Sequence, residues 1–184
     1  MKMKMKSLIL ATTMVMSAGA ANALEVAGGT VNFEGEFVNA PCAVSTDTAN
    51  QTVQLGQYRT ADLAAAGEYT TPVPFKIQLV NCDITSYQTA QVSFSGSRDA
   101  TDSTLLAVNA GTAANATAAT GVGIEISDAA SNVLTPNGDI ANASEAQRLI
   151  NGDNTLNFTA RYKSTAAVTA GKAHSTATFN MIYN

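Results

Sequence analysis

Leu156-Asn157-Phe158-Thr159-Ala160-Arg161-Tyr162-Lys163 puts an apolar side chain at every even position and a polar one at every odd position. Successive side chains of an extended chain point to opposite faces, so this stretch reads as a strand with one face in a core. The same period of two recurs elsewhere. Phe75, Ile77 and Leu79 alternate with Lys76, Gln78 and Val80. Val92 and Phe94 alternate with Gln91, Ser93 and Ser95, and Val122, Ile124 and Ile126 with Gly123, Glu125 and Ser127. At the far end Ala177, Phe179, Met181 and Tyr183 share one parity, while Thr178, Asn180, Ile182 and Asn184 share the other. Strands with one apolar and one polar face suit antiparallel sheets packed face to face.

Turn chemistry separates these runs: Pro72 and Pro74, Ser95-Gly96-Ser97, Pro136-Asn137-Gly138 and Asn151-Gly152-Asp153. A short helical turn is expected over 60–66, with Thr60 as N-cap and Gly67 as its stop. A second helical pattern over 144–150 is equally readable as strand. Residues 109–120 hold only Ala, Thr, Asn and Gly and read as an exposed loop. No internal repeat or linker interrupts the pattern, so the expectation is one all-β sandwich of immunoglobulin-like type.

Composition agrees with a packed core. Apolar residues are 46% of 184 and charged residues only 13%, which excludes a charge-driven disordered chain. Ten basic against 14 acidic residues give a formal charge of −4, which argues against a nucleic-acid partner.

The leading segment is expected to be an address rather than part of the fold. Lys2, Lys4 and Lys6 precede an apolar run from Leu8 to Met16, and Ala21-Asn22-Ala23 has the small-residue spacing of a cleavage site. That is the pattern of a secretory signal peptide at 1–23. The apolar run is short for a membrane span and carries Thr12, Thr13 and Ser17. Cleavage would remove three lysines and lower the net charge by three more units. Export would also expose the two cysteines, Cys42 and Cys82, to an oxidising compartment, where a lone pair reads as one disulfide. Closing a loop of that length contributes about 4 kcal/mol in the chain-entropy description. Two unpaired thiols are the alternative. A metal site is not expected, because His174 is the sole histidine and no CxxC occurs.

One segment fits a self-contained sandwich poorly. Val31, Phe33, Gly35, Phe37 and Asn39 share a parity just after the expected mature start, while Asn32, Glu34, Glu36 and Val38 face the other way. Extended, residues 24–39 would reach about 50 Å. On pattern alone the segment reads as an ordinary first strand.

The residues now assembled resemble the chaperone–usher pilin family, in particular the major subunits of type 1 fimbriae. The likeness is carried by 28–42 (GGTVNFEGEFVNAPC), by 51–57 (QTVQLGQ) and by 77–82 (IQLVNC). It is carried also by the C-terminal run, with Gly171 fourteenth from the end and Tyr183 penultimate. The resemblance implies an incomplete immunoglobulin-like sandwich that lacks its final strand. It implies a division into a signal peptide at 1–23, a donor-strand arm at 24–41 and a pilin domain at 42–184. The arm's face (Val31, Phe33, Gly35, Phe37, Asn39) would fill the groove of another copy, giving a head-to-tail fibre. Gly171, Ala177, Phe179, Met181, Tyr183 and Asn184 would form the receiving edge, which a periplasmic chaperone occupies before an outer-membrane usher exchanges it for the arm. Adaptor or tip adhesin subunits would be further partners, and the fimbrium would sit on the surface of a Gram-negative cell. No cofactor and no catalytic residue are expected.

A minor or adaptor subunit would also carry both arm and groove, and a secreted β-sandwich binding module would share the fold. An enzyme is disfavoured: His174 lies in a strand pattern, and neither GxSxG nor HExxH occurs. Asp99 and Asp102, near Ser97 and Ser103, read as a solvated loop rather than a cation site. Sequons at Asn50, Asn115, Asn142 and Asn157 read as products of Asn/Thr-rich composition.

Overall fold

A computed structural model of the chain describes residues 28–35, 37 and 39–184. The signal peptide expected at 1–23, the arm residues 24–27, Glu36 and Val38 lie outside the described residues. The chain divides into two units, residues 1–36 and 37–184. In the first, residues 28–35 form neither strand nor helix, and Val31 and Phe33 are 74% and 92% exposed. The ordinary first strand that the pattern alone favoured is therefore not formed by these residues.

The second unit is built from antiparallel strands. In chain order they are β1 (Ala43–Val44), β2 (Val73–Cys82), β3 (Thr89–Gly96), β4 (Leu106–Ala107), β5 (Val122–Asp128), β6 (Gln147–Arg148), β7 (Gly152–Ser164) and β8 (Ala177–Tyr183). One sheet has the order β1-β2-β7-β5-β4 and the other β6-β3-β8. Each long run of alternating sequence is a strand. The pairing register follows the alternation: Phe75 lies opposite Phe158, Ile77 opposite Leu156, and Phe94 opposite Phe179. A one-residue slip would turn these side chains to solvent, so burial itself fixes the register.

The core between the sheets holds Ile77, Leu79, Val92, Phe94, Ile124, Ile126, Leu156 and Phe158, all buried. Phe94 meets Phe158 edge-on at 5.3 Å, and Phe75 stacks on Phe158 at 5.5 Å. These geometries suit the ring quadrupoles and add to simple area burial. A disulfide joins Cys42, just before β1, to Cys82, the last residue of β2.

The structure corrects the sequence patterns at two places and decides between two readings at a third. The expected helical turn at 60–66 is a shorter 3-10 turn, Thr60–Leu63, and its N-cap is Arg59, not Thr60. Leu63 is buried there, and Gly67 follows with φ +87°, a conformation that favours glycine. The ambiguous 144–150 segment resolves as strand β6, held by pairing with β3. Finally, β5 is buried on both faces. Its polar parity, Gly123, Glu125 and Ser127, does not meet water. A Cβ at Gly123 would come 2.8 Å from the Cβ of Leu105, which is fully buried over it.

Candidate functional site

Two backbone edges of the second unit that face one another have no paired strand among the described residues. Strand β8 pairs with β3 on one side, and no described strand lies on its other side. Residues 51–59 form neither strand nor helix, with Val53 and Leu55 half-buried and their neighbours exposed. The backbone groups of residues 52–58 make no hydrogen bond to any other described residue. The segment is tied at its two ends: Gln51 Nε2 donates to the carbonyls of Thr48 and Lys76, and Arg59 O accepts from Asp62 N–H. Unpaired N–H and C=O rows of this kind are templates for an added strand.

Between these edges lies a groove of about 640 Å³. Leu55 and Gly56 line one rim, and Ala173 to Ala177 and Phe179 the other. Its floor is the core itself: Phe75, Ile77, Phe94, Ile124, Ile126, Ala160 and Tyr162. Leu55, Phe75, Tyr162, Ala177 and Phe179 all pack on the core yet remain only partly covered. The uncovered part of the core thus coincides with the gap between two unpaired edges. Burial pushes the phenols of Tyr162 and Tyr183 above their ordinary pKa, as an apolar surround does.

The residues expected to form the receiving edge are placed as follows. Ala177, Phe179, Met181 and Tyr183 share the half-buried parity of β8. Asn184 closes the strand: its backbone N–H donates to Thr89 O, and its O accepts from the N–H groups of Gln88 and Thr89. Gly171 lies outside β8, in the segment leading to it. A Cβ there would collide with the backbone of Ala118 and Ala119, where Lys172 N donates to Thr117 O and Ala119 N to Lys172 O. Its lack of a side chain permits this close approach. Phe37, in the same unit, is fully exposed.

Within the first unit, a Cβ at Gly35 would meet nothing within 4 Å. Asn39, at the start of the second, is exposed.

Polar residues singled out in the sequence have structural partners. His174 is exposed, and its backbone bridges to Asn109. Asp99 Oδ1 accepts from the N–H groups of Thr101 and Asp102. Asp102 accepts from Thr104 and, through Oδ2, from Lys163 Nζ at 2.8 Å.

Two site features were missed from sequence. Residues 51–59 show period-2 alternation only at Val53 and Leu55, too short a signal to mark a rim. The ionic cluster on the outer face of β5 and β7 had no signal beyond the alternation of Glu125, Arg161 and Lys163. Glu125 is 2% exposed, and Arg161 stacks over the Tyr69 ring at 3.9 Å.

Comparison with known proteins places this geometry in context. The family model described as "Fimbrial protein" matches residues 31–184. The chain is 51% identical to the type-1 fimbrial protein A chain of Salmonella typhi, over the full length of both. It is 42% identical to the type-1 fimbrial protein A chain of Escherichia coli strain K12, again over both full lengths. A chaperone–usher pilus structure, whose description concerns rod uncoiling, superposes with a TM-score of 0.69 at 31% identity, covering 89% of this chain and 100% of that one. The P pilus rod subunit PapA gives 0.66 at 30% identity, covering 79% of this chain and 100% of that one.

Proposed function

The chain belongs to the fimbrial protein family and is a structural subunit that polymerises into a surface fimbria; we propose that each copy is completed by the leading arm of the next. The reading is carried by one observation: the uncovered part of the core lies between two backbone edges that lack partners. An added strand would pair with β8 on one side and with residues 52–58 on the other. Its inward side chains would cover Phe75, Tyr162 and Phe179.

The arm supplies the chemistry of such a strand. Val31, Phe33 and Phe37 are apolar, alternate, and are exposed at 74%, 92% and 105%. Burying each phenylalanine contributes about 1.5–3 kcal/mol before ordering costs. Gly35 between them fits a shallow point where backbone approaches backbone. Arm and groove are different surfaces, so the contact is heterologous and propagates instead of closing. On this reading Ala177, Phe179, Met181, Tyr183 and Asn184 form the receiving edge. Gly171 shapes the segment that leads into it, and the division at 24–41 and 42–184 separates donor from acceptor.

The exposed slot before assembly is an aggregation hazard, which a periplasmic chaperone's strand would cover until an outer-membrane usher exchanges it for an arm. Export through a cleaved signal peptide at 1–23 belongs to the same reading, as does a role that is mechanical rather than catalytic. Phe33→Ala with Phe37→Ala is the test. Fibres are expected to vanish from micrographs while the chain still accumulates folded; normal fibres from the double variant would overturn the proposal.

A further inference from the structure

We propose that the Tyr162 hydroxyl is a positioning group that fixes the width of the groove at its closed end; this rests on the strand-accepting reading above. Tyr162 touches both rims. Its ring meets the Tyr58 ring edge-on at 6.1 Å, and Tyr58 lies two residues beyond Gly56, the last groove-lining residue on that side. Its Oη donates to the carbonyl of Ala173 at 2.8 Å, in the segment that feeds β8. The residue itself cannot drift, because its N–H donates to Thr70 Oγ1 and its carbonyl accepts from Thr70 N–H, both at 3.0 Å.

The position along the groove follows from packing. Tyr162 and Val108 are the partly covered residues shared by the main core and a smaller cluster of Leu63, Ala119 and Val122, and of the two Tyr162 lines the groove. On one side of it lies the groove, and on the other the space is already filled. A strand paired on both edges needs its rims two inter-strand spacings apart, about 9.5 Å. At Tyr162 one side chain spans the gap, so the terminal residue of an inserted strand meets a preset width.

The test uses fibres of the full chain and reads their dissociation rate in denaturant. Tyr162→Phe keeps the ring and removes the bond to Ala173. Losing one net hydrogen bond is expected to speed dissociation by roughly 3- to 10-fold. The variant is then combined with Val31→Ala and, separately, with Phe37→Ala, at the two ends of the arm's apolar face. The effect is expected to be non-multiplicative with one of these and multiplicative with the other, since a single arm residue reaches the closed end. Wild-type dissociation rates for Tyr162→Phe, or multiplicative behaviour with both arm variants, would overturn the strut. If neither arm variant weakens wild-type fibres, the strand-accepting reading fails instead. Should Tyr162→Phe not fold, Tyr58→Leu loosens the other rim and the same cycle applies, with the same two outcomes.

Discussion

Arg161 donates twice to one oxygen of Glu125, from Nε at 2.8 Å and from Nη2 at 2.6 Å. The glutamate is buried, the arginine half-buried, and Lys163 Nζ stands 3.9 Å from the other carboxylate oxygen. Strand pairing sets Glu125 opposite Arg161, so the contact is fixed by register. Replacing Arg161 with Met would leave the carboxylate buried with only a distant cation. A loss of about 2–3 kcal/mol is expected, below the full penalty for an orphaned buried charge because Lys163 remains. Denaturant melts of the two chains check this.

Acid should act through the neighbouring pair. Hydrogen bonds from Lys163 and then Thr104 lower the Asp102 carboxyl from its ordinary value of 3.8 to about 2. A carboxyl depressed on folding adds stability above its unfolded pKa, and that stability is lost as pH falls through the folded one. Asp102 therefore stabilises at pH 5 and above and ceases to do so between pH 3.8 and about 2. Partial exposure limits the contribution to about 1–2 kcal/mol. Asp102→Asn is expected to melt lower than wild type at pH 6 and to converge with it at pH 2.

Gly171 has a different dependence. A methyl group there would press on the backbone of Ala118 and Ala119. Gly171→Val should cost about 2–3 kcal/mol, in the range of overpacking and strain. It should also disorder the approach to β8, read as faster hydrogen exchange at Ala177 and Thr178.

Gly35 should be silent in the isolated chain and severe in the fibre. A Cβ at Gly35 meets nothing within 4 Å. Gly35→Arg is expected to change the unfolding free energy by under about 0.5 kcal/mol, as for other open surface sites. Micrographs should show no fibres, because the side chain would stand in the middle of the donor face.

Much of this architecture was legible from period and parity. The runs at 75–80, 91–95, 122–127, 156–163 and 177–183 are all strands, because alternation and burial are the same constraint. The covered outer face of β5 was not legible. Gly123, Glu125 and Ser127 look solvent-facing until Leu105 and Arg161 are folded over them, and those contacts join residues far apart in sequence. The groove was legible only in half. The edge at β8 announces itself by alternation, whereas the 51–59 rim carries few apolar residues and alternates only at Val53 and Leu55. Tyr162 reads as one more core residue in its strand. Its bond to Ala173 depends on how the loop before β8 returns, which local sequence does not encode.

Whether the arm of one copy fills the groove of another can be read from isotopic mixing. Fibres grown from equal amounts of unlabelled and nitrogen-15 chains, with a photo-crosslinking residue at Asn32, would be irradiated and digested. Crosslinks are expected from position 32 to β8 or to residues 51–59, with mixed-isotope pairs as abundant as same-isotope pairs. Crosslinks confined to same-isotope pairs, or absent from both rims, would contradict an arm filling another copy's groove.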